Sequence, residues 1–157
     1  MALETKLDLN EETLAALRDL IQANVDSRDG LRYCAEKIED MTLQSTFLRL
    51  ADERDAQADE LCQYVEWNAE DARKSGSYAA AVHRTWIAIR DMVAVDDTYA
   101  ILAEAERGED QIKNAYEESL KNTAGSAMND LLLQQYTQVK ASHDHIRDLR
   151  DSYKDNN

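Results

Sequence analysis

Apolar residues recur along this chain at intervals of three and four over stretches far longer than a strand, which is the period of one helix face. Leu14, Leu17, Ile21, Val25, Leu31, Ala35 and Ile38 predict a helix over about 11–39. Asn10 can cap it, and Glu11 and Glu12 suit the positive end of its dipole. Leu43, Phe47, Leu50, Leu61 and Val65 predict a second helix over about 42–67, joined so tightly to the first that the two must be antiparallel neighbours. NAEDARKSGS, residues 68–77, is polar and reads as a loop. A shorter helix over about 78–93 follows. Val82, Trp86, Ile87, Ile89, Met92 and Val93 make it apolar around its circumference, as expected of a helix covered on more than one side. Two more long helices, about 97–121 and 127–153, flank a turn at NTAGS containing Gly125, and the terminal KDNN is expected to fray.

Two tight hairpins separated by a long connection with its own helix predict an all-α, ferritin-like four-helix bundle, a single domain over 1–157. In that connectivity the link between the second and third long helices runs the length of the bundle and leaves them parallel. A simple up-down-up-down bundle needs no such crossover. No short internal repeat is visible.

Two charges break the stripes. Glu109 falls among Ile101, Leu102, Ala105, Ile112 and Tyr116, and Arg54 falls among Leu50, Ala58 and Leu61. An unpaired buried charge costs several kcal/mol, roughly, so each needs a counter-charge, a cation, a proton or water. At about 1.5 Å per residue, Asp26, Glu53, Arg54 and Glu109 fall near mid-bundle, and Gln138 brings in the fourth helix. Gly30 and Gly108 lie at similar height, where the predicted crossover helix and Trp86 could press close.

Besides plain solvent exposure of Glu109, two readings of this layer compete. Ferritin-like bundles hold two metal ions at mid-height with glutamates and Glu-x-x-His pairs. This chain has no Glu-x-x-His: Lys140, Ala80 and Ser142 stand three residues before His143, His83 and His145. A reduced metal site could use Glu53, Glu106, Glu109 and His143 around iron or another divalent cation. The alternative makes Arg54 the occupant, paired with Asp26, Glu109 or both in a buried ion-pair layer that needs no cofactor.

Composition narrows the function. Proline is absent, glycine occurs four times, and the net charge of −14 repels nucleic acid and anionic membrane surfaces. No apolar run approaches a membrane span, MALETKLDLNEET lacks the regions of a secretory signal, and a cytoplasmic protein is expected. Cys34 and Cys62 fall on the order of 20 Å apart in height, so they are expected as free thiols. Nucleophile triads, phosphate loops and nucleophile elbows are not found, which weighs against an enzyme. His83, Arg84 and Trp86 read as a packed aromatic with a polar edge, and Tyr99, Tyr116 and Tyr136 as core or interface. SHDHIRDLRDSYKD, residues 142–155, reads as a solvated face laced with ion pairs.

The segments DGLRYCAEKIED, ADERDAQADEL with Arg54, GSYAAAVHRTW, ILAEAERGEDQIKNAY and VKASHDHIRDLRD together resemble a bacterial family of ferritin-like four-helix-bundle proteins of undefined role, distantly similar to ferritin and rubrerythrin. The resemblance runs from about Leu14 to Asp151. Its marks are Asp26, Gly30, Arg54, Gly76, Ser77, His83, Arg84, Trp86, Glu106, Gly108, Glu109, Tyr116 and His143. The loop at 68–77 lacks a proline expected there. The resemblance implies the fold and no particular reaction. The expectation is a binding or structural protein that self-associates, as a dimer, through the apolar crossover helix; the competing expectation is an iron protein for oxygen or peroxide chemistry.

Overall fold

The structure is a computed structural model and describes residues 4–68 and 97–155. Within them four α-helices carry the fold and no β-strand is formed: α1 Glu11–Lys37, α2 Met41–Trp67, α3 Thr98–Asn122 and α4 Asn129–Asp155. The predicted crossover helix over 78–93, with His83, Arg84 and Trp86, lies outside the described residues.

Local chemistry sets the helix ends. The Asn10 side chain accepts the Thr13 N–H at 2.9 Å, Asp40 does the same for Leu43 at 3.0 Å, and Asp97 for Tyr99 at 3.0 Å. α1 stops at Lys37, short of the expected 39, because Ile38 turns to extended backbone while its N–H still bonds the Cys34 carbonyl at 3.1 Å. Ile38 stays buried, so its apolar side chain extends the stripe past the helix it belongs to. The turn between α3 and α4 is closed by the Ser126 N–H on the Thr123 carbonyl at 2.8 Å, with Gly125 at φ 80°, a backbone region that glycine enters without a Cβ clash.

α1 packs on α2 and α3, and α3 packs on α4. Leu17, Leu20 and Leu31 of α1, Phe47, Leu50 and Leu61 of α2, and Ile101, Leu102 and Ile112 of α3 form the largest fully buried apolar side chains, each worth about 1.5–3 kcal/mol of burial. Contacts at the ends orient the helices. At the base, where α1 begins, the Asn68 side chain after α2 accepts from the Leu9 N–H at 2.8 Å, and Glu4 holds the Ser126 hydroxyl and the Ala127 N–H at the α3–α4 turn. At the top, Tyr153 near the end of α4 lies in the field of Asp40, before α2. Both α2 and α3 therefore run from top to base, α2 ending at the base and α3 beginning at the top.

Candidate functional site

Arg54 from α2 and Glu109 from α3 meet at the centre of the bundle with no solvent exposure on either side chain. The arginine Nη2 donates to Glu109 Oε2, and the Ser27 hydroxyl of α1 donates to Oε1 at 3.0 Å, so both carboxylate oxygens have donors. Arg54 Nη1 donates to Gln57 Oε1 at 3.3 Å, whereas Arg54 Nε has no hydrogen-bond partner among the described residues. Such a pair, taken wholly out of water, persists only with this kind of directional hydrogen bonding around it.

Amides continue the layer toward the base. Gln57 Nε2 donates to Gln138 Oε1 of α4 at 2.8 Å, and Gln135 Nε2 of α4 donates to Glu60 Oε1 of α2 at 2.9 Å. The Tyr116 hydroxyl of α3 donates to Gln135 Oε1 at 2.7 Å and accepts from Asn24 Nδ2 of α1 at 2.8 Å. Burial raises the Tyr116 pKa well above the usual phenol value, against the opposing pull of the Asn24 hydrogen bond and the Arg54 charge, so the hydroxyl stays protonated and able to donate. All four helices thus share one hydrogen-bonded interior. The sequence pattern does not single out Ser27, Asn24, Gln57 or Gln135, although each sits at helical spacing from leucines on the stripe of its own helix.

The four residues expected from the sequence as metal ligands do not converge. Glu109 faces Arg54 and Ser27. Glu53, on α2, lies 3.8 Å from Arg49 and lines an open cleft of about 210 Å³ with Gln57, Glu60, Gln134, Gln135 and Gln138. Asp26, expected as a second partner for Arg54, is buried and accepts from Gln22 Nε2 at 3.2 Å, while the described hydrogen bonds of Arg54 go to Glu109 and Gln57. Glu106 and His143 do come together, on the flank between α3 and α4, with His143 Nε2 2.8 Å from Glu106 Oε1. Asp110, one turn along α3 from Glu106, brings Oδ1 to 3.5 Å from the same nitrogen.

His143 is 6 % exposed, and its Nδ1 lies 3.0 Å from Asp144 Oδ1. The hydrogen bond from His143 holds the Asp144 carboxyl below the usual range, with partial burial opposing and Lys140 assisting. Nδ1 therefore faces a carboxylate, a group that accepts hydrogen bonds when ionised. Nε2 then points at two carboxylates and, despite the short distance to Glu106, has no aligned hydrogen-bond partner. Glu106 Oε2 accepts from Arg150 Nη1 at 3.1 Å. Cys34 is buried, Cys62 is half-buried, and both are free thiols.

Among the described residues the geometry defines an all-helical bundle with the Arg54–Glu109 pair in its interior. Residues 12–122 match the family model described as a domain of unknown function, DUF2383, and the chain belongs to that family. The match ends with α3, so it includes Ser27, Arg54, Gln57, Glu106, Glu109 and Asp110 and stops short of Gln135 and His143 on α4. No curated protein matches the sequence.

Proposed function

We propose that the protein is a non-catalytic binding or structural member of the ferritin-like bundles, in which a fixed arginine stands where related architectures carry metal ions. One observation carries this reading: Arg54, with no solvent exposure, contributes its cation to Glu109 at the mid-height of the bundle. A positive charge at that point competes with any interior ion for the same carboxylate. The shared downward direction of α2 and α3 supports the ferritin-like connectivity, and the absence of Glu-x-x-His supports the loss of an interior di-metal centre. The apolar pattern of residues 78–93 supports self-association as a dimer, and the two free cysteines support a reducing, cytoplasmic setting.

Aerobic iron(II) titration of protein purified without chelators or affinity-tag metals tests the reading. The expected result is no oxidation-coupled uptake that depends on Glu109. Near-stoichiometric uptake with oxidation, abolished by Glu109→Gln and retained in Asp110→Asn, would replace it with interior iron chemistry. Light scattering at high concentration tests self-association, and a monomer removes that part.

A further inference from the structure

On the flank of the bundle, three side chains converge that the buried layer does not use. Glu106 and Asp110 are four residues apart on α3 and so share a face, and His143 reaches them from α4. Two carboxylates at this spacing repel one another. Arg150 relieves Glu106 through Oε2 alone, and among the described residues Asp110 has no lysine or arginine in ion-pair contact. Glu106, Asp110 and His143 each offer one ligand atom, and the three atoms lie within 4.8 Å of one another.

From this convergence we propose that Glu106, Asp110 and His143 form a mononuclear site for a divalent transition-metal ion. Acidic residues alone would not carry that assignment; the imidazole does. His143 is more than nine-tenths buried, its Nδ1 lies 3.0 Å from Asp144 Oδ1, and its Nε2 has no aligned hydrogen-bond partner while facing two carboxylate oxygens. An imidazole fixed through its other nitrogen by a carboxylate is the arrangement that orients histidine ligands toward metals. The spacing comes close, with one separation just below and one just above the range an ion would set. Ligand atoms about 2.1 Å from a common ion, at angles between octahedral and tetrahedral, stand about 3.0–3.4 Å apart. The separations from Nε2 are 2.8 and 3.5 Å.

Two carboxylate oxygens and one imidazole nitrogen suit zinc, manganese or iron(II) better than the soft thiolate-seeking ions. Three protein ligands leave the rest of the coordination sphere to water, and Asp110, with 44 % of its side chain exposed, provides the open side. Arg150 pairs with Glu106, and Lys140 and Arg147 pair with Asp144, so these cations moderate affinity without touching the ion. The site lies on a different face of α3 from the Arg54 pair. Its ligands exclude Glu109, so it stands whether or not the bundle interior is inert.

Cobalt(II), whose visible bands report coordination, is the probe. Protein stripped with chelator and returned to neutral buffer is titrated with cobalt(II), followed by competition with zinc(II). The expected result is one saturable equivalent per chain, displaced by zinc. Asp110→Asn and His143→Gln should each weaken binding tenfold or more, and Asp144→Asn by about tenfold through loss of the imidazole's orientation. Asp110→Asn alters a half-exposed side chain, so it decides the matter even where His143→Gln does not fold. Absence of a saturable equivalent overturns the proposal. So does equal binding by wild type and Asp110→Asn, which would be diffuse attraction of cations to an acidic surface.

Discussion

Ser27 and Arg54 approach Glu109 from two different helices and divide its carboxylate between them, the hydroxyl taking Oε1 and the guanidinium Oε2. The charge at the centre of α3 is therefore balanced across the bundle, and each partner is placed by the packing of another helix. Altering any one of the three groups leaves the other two mismatched in a place that water does not reach.

Arg54→Leu should destabilise the protein by about 3–5 kcal/mol, because it strands a carboxylate with no access to water. The double variant Arg54→Leu/Glu109→Leu should recover most of the loss, since replacing both members of a buried pair with apolar groups is often neutral. Urea denaturation midpoints measure both. A double variant no more stable than the single one would show that the pair holds the fold in a way charge balance does not explain.

Tyr116→Phe removes the donor to Gln135 and the acceptor for Asn24 while keeping the ring in place. The expected cost is about 1–3 kcal/mol, since Gln135 Oε1 loses its tyrosine donor in a buried setting. Asn24 Nδ2 keeps its second bond to the Leu20 carbonyl at 2.8 Å, so the loss should fall mainly on the α3–α4 contact. Hydrogen exchange that slowed or stayed unchanged in both helices would contradict this.

Glu4 supplies an acid-sensitive latch. Partial burial raises its pKa, but the hydrogen bonds from the Ser126 hydroxyl, the Asn10 and Ala127 N–H groups and the Thr13 hydroxyl outweigh that and lower it overall. A carboxyl depressed in the folded state contributes stability above its unfolded pKa and loses it as pH falls through the folded one. Stability should therefore decline with acid below about pH 4.5, and Glu4→Gln should flatten that part of the profile. Parallel acid limbs for the variant and the wild type would remove Glu4 from the account.

The two thiols should react at different rates. Burial, with the charges of Glu109 and Glu104, pushes the Cys34 thiol up to about 12, so it is neither ionised nor reachable at pH 8. Cys62 is also raised, by burial and by Glu66 and Asp59, but it is partly exposed. Ellman-type titration should show one slow thiol per native chain and a second on unfolding. Two native thiols of equal rate would mean that Cys34 is open to reagent.

Periodicity places the long helices and exposes the conflict at Glu109, because a charge among Ile101, Leu102, Ala105 and Ile112 contradicts its neighbours. Counting heights also puts Glu106 and His143 near each other, and they stand 2.8 Å apart. What counting does not resolve is rotation about the helix axis. Glu109 and Asp110 differ by one residue and by about 100° of turn, so one enters the interior and the other faces α4. The ligand set read from heights therefore includes Glu109 and Glu53, where the geometry brings Asp110 to His143. The amides escape for another reason. Gln57, Gln135 and Asn24 lie on the buried stripes, but a search for charges passes over neutral groups whose burial is as demanding of partners as an ion's.

Among the described residues, Asn68 and Glu4 give the base of the bundle a property that the top lacks. The Asn68 side chain holds Leu9 and the Lys6 carbonyl, Thr5 and Asp8 bond each other, and Glu4 reaches Ser126 and Ala127. A single short strap thus stitches the end of one hairpin to the bend of the other. Prying either loose tugs on both, so this end is expected to open as one cooperative unit.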